Sequence, residues 1–144
     1  MSVIRATLRT SMALVIGILV AFITIMCVEQ IAHLLFPLSV DLGQQDTSAS
    51  TQYMKNLPVI SLLMVQLAWC MGIALGIFSA ALVARQVRGR FALAIGTLIS
   101  GSALATMLLL PHPLWFMVLS AICLPVVSLG SWWCLKRSPW FIRK

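Results

Sequence analysis

Acid is what this chain has least of. Its 144 residues include three carboxylates (Glu29, Asp41 and Asp46), two histidines and one tyrosine. Charged residues of both signs make up only 9%, where a soluble domain carries about a quarter. That excludes an ordinary soluble fold. Cysteine is present but unpaired in sequence: Cys27, Cys70, Cys123 and Cys134 form no C-x-x-C and all fall in apolar runs. Thiol exchange and zinc binding need close, ionisable thiols, so these four read as small apolar fillers, and quinone-linked disulfide oxidoreductases are excluded. No H-x-x-x-H or E-x-x-H occurs, and no internal repeat relates the apolar runs to one another. The first run exceeds the core of a signal peptide, and no small-x-small cleavage pattern follows it, so it is kept as a mature helix.

What is present is hydrocarbon, at 61% of residues. Four apolar runs cover 12–36, 58–84, 91–110 and 114–135. Each reaches the ~20 residues that cross ~30 Å of lipid as a helix. Lipid offers the backbone no hydrogen-bond partner, so such runs are expected to be helical. The predicted fold is all-α: one membrane domain over 1–144, a four-transmembrane-helix bundle made of two hairpins, with an outer loop at 37–57.

The net charge of +7 is distributed as topology rather than as a nucleic-acid surface. Arg5 and Arg9 precede the first run, Arg85, Arg88 and Arg90 fill the second connection, and Lys136, Arg137, Arg143 and Lys144 follow the last run. Of the other two connections, only the first holds a basic residue, Lys55. Lys and Arg collect on the cytoplasmic side, so both termini of a multi-pass membrane protein are expected in the cytosol. The partner implied by the charges is the lipid bilayer with its anionic headgroups; nucleic acid is excluded.

Small residues mark the expected contacts. Gly72, Gly76, Ala80 and Ala84 recur every four positions, as do Ala92, Gly96 and Ser100. In lipid, close backbone approach drives helix association. The short turn between the second and third runs predicts that these two faces meet. Trp115 and Phe116 suit an outer aromatic belt, and Trp132, Trp133, Trp140 and Phe141 an inner one. Pro125 predicts a kink in the fourth helix.

The polar residues inside the runs are the candidate site. Glu29 and His33 stand four apart on one helical face, roughly 12 Å and 6 Å below Pro37 at 1.5 Å per residue. A carboxylate at that depth is expected to be paired, protonated or turned inward. His33 is the expected partner. Gln66 enters the second helix at a similar depth, Trp69 lies a turn deeper, and His112 sits in the P-H-P turn of the same leaflet. Convergence of Glu29, His33, Gln66, Trp69 and His112 would make a polar cluster near the outer surface.

Three functions fit such a cluster. A structural pair orienting the first helix belongs to a non-catalytic accessory protein, which packs against a second copy or another membrane subunit and needs no cofactor. Glu29 as a proton carrier belongs to a proton-coupled small-molecule transporter. Glu29, His33 and His112 as ligands belong to a metal-binding membrane enzyme.

E-x-x-x-H-x-x-x-P at Glu29, His33 and Pro37 and H-P-x-W at His112, Pro113 and Trp115 carry a resemblance, together with Leu57–Pro58 and the Leu-Ala-Trp of residues 67–69. On these the chain resembles an uncharacterised family of small bacterial four-helix integral membrane proteins. The resemblance spans nearly the whole chain and departs at Ala32 and Phe36, where glycine and tyrosine are expected. It implies the four-helix fold and singles out Glu29, His33 and His112, without implying a reaction. Small multidrug exporters are similar in layout only, since their helix-one acid lies deeper and their connections are short. Membrane glutathione transferases differ in the intramembrane arginines this chain lacks.

Overall fold

The computed structural model describes residues 2–35, 57–85, 89–109 and 112–138, with side chains from residue 6 onward. They form four helices: α1 (Ser2–Leu35), α2 (Val59–Ala84), α3 (Gly89–Leu109) and α4 (Leu114–Arg137). All four are long and apolar enough to cross a membrane. The apolar runs therefore became helices over nearly their expected limits, except that α1 starts well before Met12. At 1.5 Å per residue its 30-residue apolar portion reaches about 45 Å, beyond the hydrocarbon thickness. Residues 37–56 of the outer loop, Pro111, Trp140 and Phe141 lie outside the described residues.

Prolines set two of the helix starts. Pro58 and Pro113 sit in extended conformation just ahead of α2 and α4, and their carbonyls accept from Ser61 (2.9 Å) and Phe116 (3.0 Å). Proline gives up no needed donor there. The end of α2 is made by Arg85, left-handed at φ 51°, whose N–H turns back to the carbonyls of Ala81 and Leu82. From α1, Arg9 Nε donates to the Val83 carbonyl at 3.0 Å. A guanidinium on the exposed carbonyls of a helix C-terminus opposes the negative end of its dipole.

The tightest contact joins α1 to α2. Along α1, Ala13, Gly17, Ala21 and Ile25 recur every four residues and all are buried. A Cβ on Gly17 would lie 2.7 Å from the Gly76 carbonyl and 2.8 Å from Ala80 Cβ. One on Gly76 would lie 2.7 Å from the Gly17 carbonyl, and one on Gly72 2.6 Å from Ile25 Cγ1. Rising numbers on α1 meet falling numbers on α2, so the two run in opposite directions.

This corrects the expected packing. The Gly72–Gly76 face is turned to α1, not to α3, and Gly96 is turned to Ser128 of α4. A short turn makes α2 and α3 neighbours, but it does not choose which faces touch. Glycine opposite glycine allows the closest backbone approach, and Gly17 supplies the match that α3 lacks. Ala80 packs in the same α1–α2 contact. Ile95 reaches from α3 into it, 3.3 Å from a Cβ on Gly76. The fully buried side chains Ile73, Ile77, Ile95, Ile99 and Phe116 form the centre, joining α2, α3 and α4. No Cα of α1 approaches α4 within 8 Å.

Between α3 and α4 the contact is uneven. At one end Gly89 lies against the Trp132 indole, 3.4 Å from a Cβ placed there, and about two turns further along α3 Gly96 meets Ser128. Beyond that level the two helices part around a cleft of about 430 Å³ that includes Ser100, Met107, Met117 and Pro125 in its walls. α4 continues through Pro125 as one helix.

Candidate functional site

The polar centre of the bundle is Gln66, and it is 6% exposed. Its position follows from the α2 pattern: Leu62, Gln66, Trp69, Ile73, Gly76, Ile77 and Ala80 share the buried side. A primary amide in an apolar interior must find partners or cost several kcal/mol, on the order of the 2–7 estimated for an unbonded amide. Here it finds two. Ser120 Oγ on α4 donates to Gln66 Oε1 at 2.6 Å, and Gln66 Nε2 donates to Cys70 Sγ at 3.5 Å, one turn down α2. The first bond ties α2 to α4. The second gives Cys70 a polar contact that its reading as an apolar filler did not include. All four cysteines are free thiols.

An aromatic group caps this centre. Trp69 of α2 meets Phe116 of α4 with ring centroids 5.9 Å apart and planes inclined by 51°. His112 stacks on the same Phe116 at 5.3 Å and 18°, and Trp115 meets its edge at 5.7 Å and 82°. Phe116 is fully buried, so the ring that was expected in an outer belt is instead the hub of the group. Three of the five expected site residues are thereby brought together: Gln66, Trp69 and His112, through Ser120 and Phe116.

Glu29 and His33 stand apart on α1. Glu29 is half-buried and His33 exposed. They continue the row Ala13–Gly17–Ala21–Ile25 to the point where it leaves α2. Among the described residues no three His, Cys, Asp or Glu side chains form a group able to hold a metal ion; Glu29, His33 and His112 are all described and do not make one.

Compared with protein-family models, with curated proteins and with solved structures, the chain matches none. The site has to be read from its own chemistry.

That chemistry is one of satisfied bonds. Ser120 and Gln66 are spent on each other, and Ser128 donates to the Leu124 carbonyl at 2.9 Å. On α3, Thr97, Ser102 and Thr106 donate to the carbonyls of Leu93, Leu98 and Ser102. Ser61, near the start of α2, is the described buried hydroxyl with no partner. Sequence reasoning missed Ser120 and Phe116. The signal was there, since His112, Phe116, Ser120, Leu124 and Ser128 recur every four residues and so share one face of α4.

At the opposite end of the bundle the cations gather around indoles. Lys136 Nζ lies 5.5 Å from the Trp132 ring centre and the Arg137 guanidinium 3.6 Å from that of Trp133. Arg9 on Val83 and Gly89 on Trp132 bring the start of α1, the end of α2, the start of α3 and the end of α4 to this one end.

Proposed function

We propose that the chain is a small multi-pass protein of a bacterial inner membrane, with a non-catalytic accessory role carried by its lipid-facing helix surfaces. The cationic end carrying Arg9, Arg85, Arg90, Lys136 and Arg137 lies in the cytosol, which puts both termini there and arranges the four helices as two hairpins. Support comes from charge: Lys and Arg are retained on the cytoplasmic side, and the described cations stand near one end of the bundle.

The single observation that carries the accessory reading is that the buried polar centre is consumed by structural bonds. Gln66 joins α2 to α4 through Ser120 and donates to Cys70. Outward, α1 presents Leu19, Ile23 and Met26 well exposed, a surface for lipid or for another membrane helix. A partner here is another membrane subunit or a second copy of the chain. Site-specific photocrosslinkers at Leu19 and Ile23, in native membranes, test this. One discrete crosslinked protein product supports it, and lipid adducts alone end it.

Glu29 favours a second reading as a proton-coupled transporter, because a half-buried carboxylate beside a histidine within an apolar span is costly unless used. In proteoliposomes this reading requires proton-driven solute movement that Glu29→Gln abolishes while the fold persists. Absence of proton flux under an imposed gradient eliminates it. The metal-enzyme reading, with Glu29, His33 and His112 as ligands, receives no support from their placement. Elemental analysis of the purified protein tests it directly: near-stoichiometric metal, lost in His33→Ala, would restore it.

A further inference from the structure

We propose that the cleft between α3 and α4 binds a lipophilic quinone, which enters sideways from the bilayer core and accepts a hydrogen bond from Ser100. The inference rests on the membrane placement above and goes beyond the accessory role.

The cleft is a built feature rather than a bare helix face. Gly96 against Ser128 closes it at one end, and Ser120, only 2% exposed, stands at its back. Its volume of about 430 Å³ falls in the range of about 300–1,000 Å³ typical of small-molecule sites. Met107 and Met117 stand among the lining residues. Their flexible thioethers adapt to a flat ring and favour contact with it.

One hydroxyl sets the ligand's polarity. The other described hydroxyls of α3, those of Thr97, Ser102 and Thr106, are all spent on carbonyls of the preceding turn. Ser120 donates to Gln66. Ser100 alone faces the cleft with no bond among the described residues. A donor in an apolar wall selects a ligand that brings an acceptor, because an unmade hydrogen bond there costs about 1–3 kcal/mol.

Depth then narrows the class. Ser100 lies half-way along α3, and so near the bilayer midplane. Charged headgroups are expelled from that depth, and the ester carbonyls of phospholipids lie outside the hydrocarbon. The occupant must dissolve in hydrocarbon and still carry a hydrogen-bond acceptor. A quinone ring on an apolar tail does both. Binding alone is inferred; no electron transfer is assigned to the chain.

The test uses the full-length protein in nanodiscs with an azido-benzoquinone bearing a decyl tail. After illumination, label is expected on the α3 and α4 residues that line the cleft, competed by decyl-benzoquinone and not by decylbenzene. Ser100→Ala should weaken saturable labelling roughly two- to tenfold, the worth of one hydrogen bond. Ala121→Phe, at an exposed position on the cleft wall, should abolish it while leaving the thermal melt unchanged. Label spread over all four helices, equal competition by decylbenzene, or an unaffected Ser100→Ala variant would each overturn the proposal; equal competition would mean that any acyl tail fills the space. Extraction of the chain by alkaline carbonate would instead overturn the membrane placement. A chain that resists extraction but shows no localised label loses only the quinone site.

Discussion

Between α1 and α2, Gly17 and Gly76 present bare backbone to each other, each carbonyl 2.7 Å from where the other's Cβ would stand. Between α3 and α4, Gly96 faces a serine, and a turn beyond Ser128 the helices separate around a cleft. Both contacts use small residues at four-residue spacing. The difference lies in reciprocity. A glycine matched by a glycine, with Ala13, Ala21 and Ala80 above and below, lets two backbones stay close over several turns. A glycine matched by one serine brings the helices together at that level, and past it they flank the cleft.

The sharpest way to break this comparison is to add bulk on each side of it. Gly17→Leu should cost about 3 kcal/mol or more, the upper range for overpacking, because backbone stands in the way rather than a movable side-chain end. A thermal melt in mild detergent reads this directly. Gly101→Leu, where a Cβ meets nothing within 4 Å, should stay within about 0.5 kcal/mol. Equal effects of the two would show that close approach of α1 and α2 does not hold the molecule together.

A smaller effect tests the polar tie between α2 and α4. A double-mutant cycle on Gln66→Leu and Ser120→Ala should yield a coupling energy of about 0.6 kcal/mol, and no more than about 1.7, the scale of interhelical hydrogen bonds in membranes. Zero coupling would mean the 2.6 Å bond contributes packing geometry alone. Next comes Arg9→Ala, which removes the guanidinium from the α2 C-terminus and should cost about 0.3–1 kcal/mol. The loss should shrink at high salt, since the site is exposed. The smallest effect is expected at Ser61→Ala. Its buried hydroxyl has no partner, so removal should leave the melt unchanged or raise it slightly; a clear drop would reveal a bond to a residue outside those described.

Legibility in the sequence differed by kind of residue. The four helices were readable because each run is long, continuous and apolar, and length alone decides that an unbroken backbone must pair with itself. The polar residues Gln66, Trp69 and His112 were readable because each interrupts or ends such a run. Ser120 and Phe116 were hidden. Serine is unremarkable in a membrane helix, and Phe116 beside Trp115 looks like one more interfacial aromatic. Only the four-residue row from His112 to Ser128 distinguished them, and that row acquires meaning once α2 is known to lie opposite. Gly17 was hidden in the same way: its row from Ala13 to Ile25 is regular, but nothing along the chain says which of two glycine-bearing helices it will meet.

Taken alone, the chain determined its element count, helical class and the gathering of basic residues at the ends of the runs. These are local quantities, set by hydrocarbon length, backbone hydrogen bonding and charge. Tertiary structure decided the rest: that Gly76 turns to Gly17, that Phe116 joins Trp69 to His112, that Glu29 and His33 remain on α1 away from α4, and that a cleft opens past Gly96. Those outcomes depend on which surfaces are complementary in shape, and shape is a property of pairs of helices rather than of any one of them.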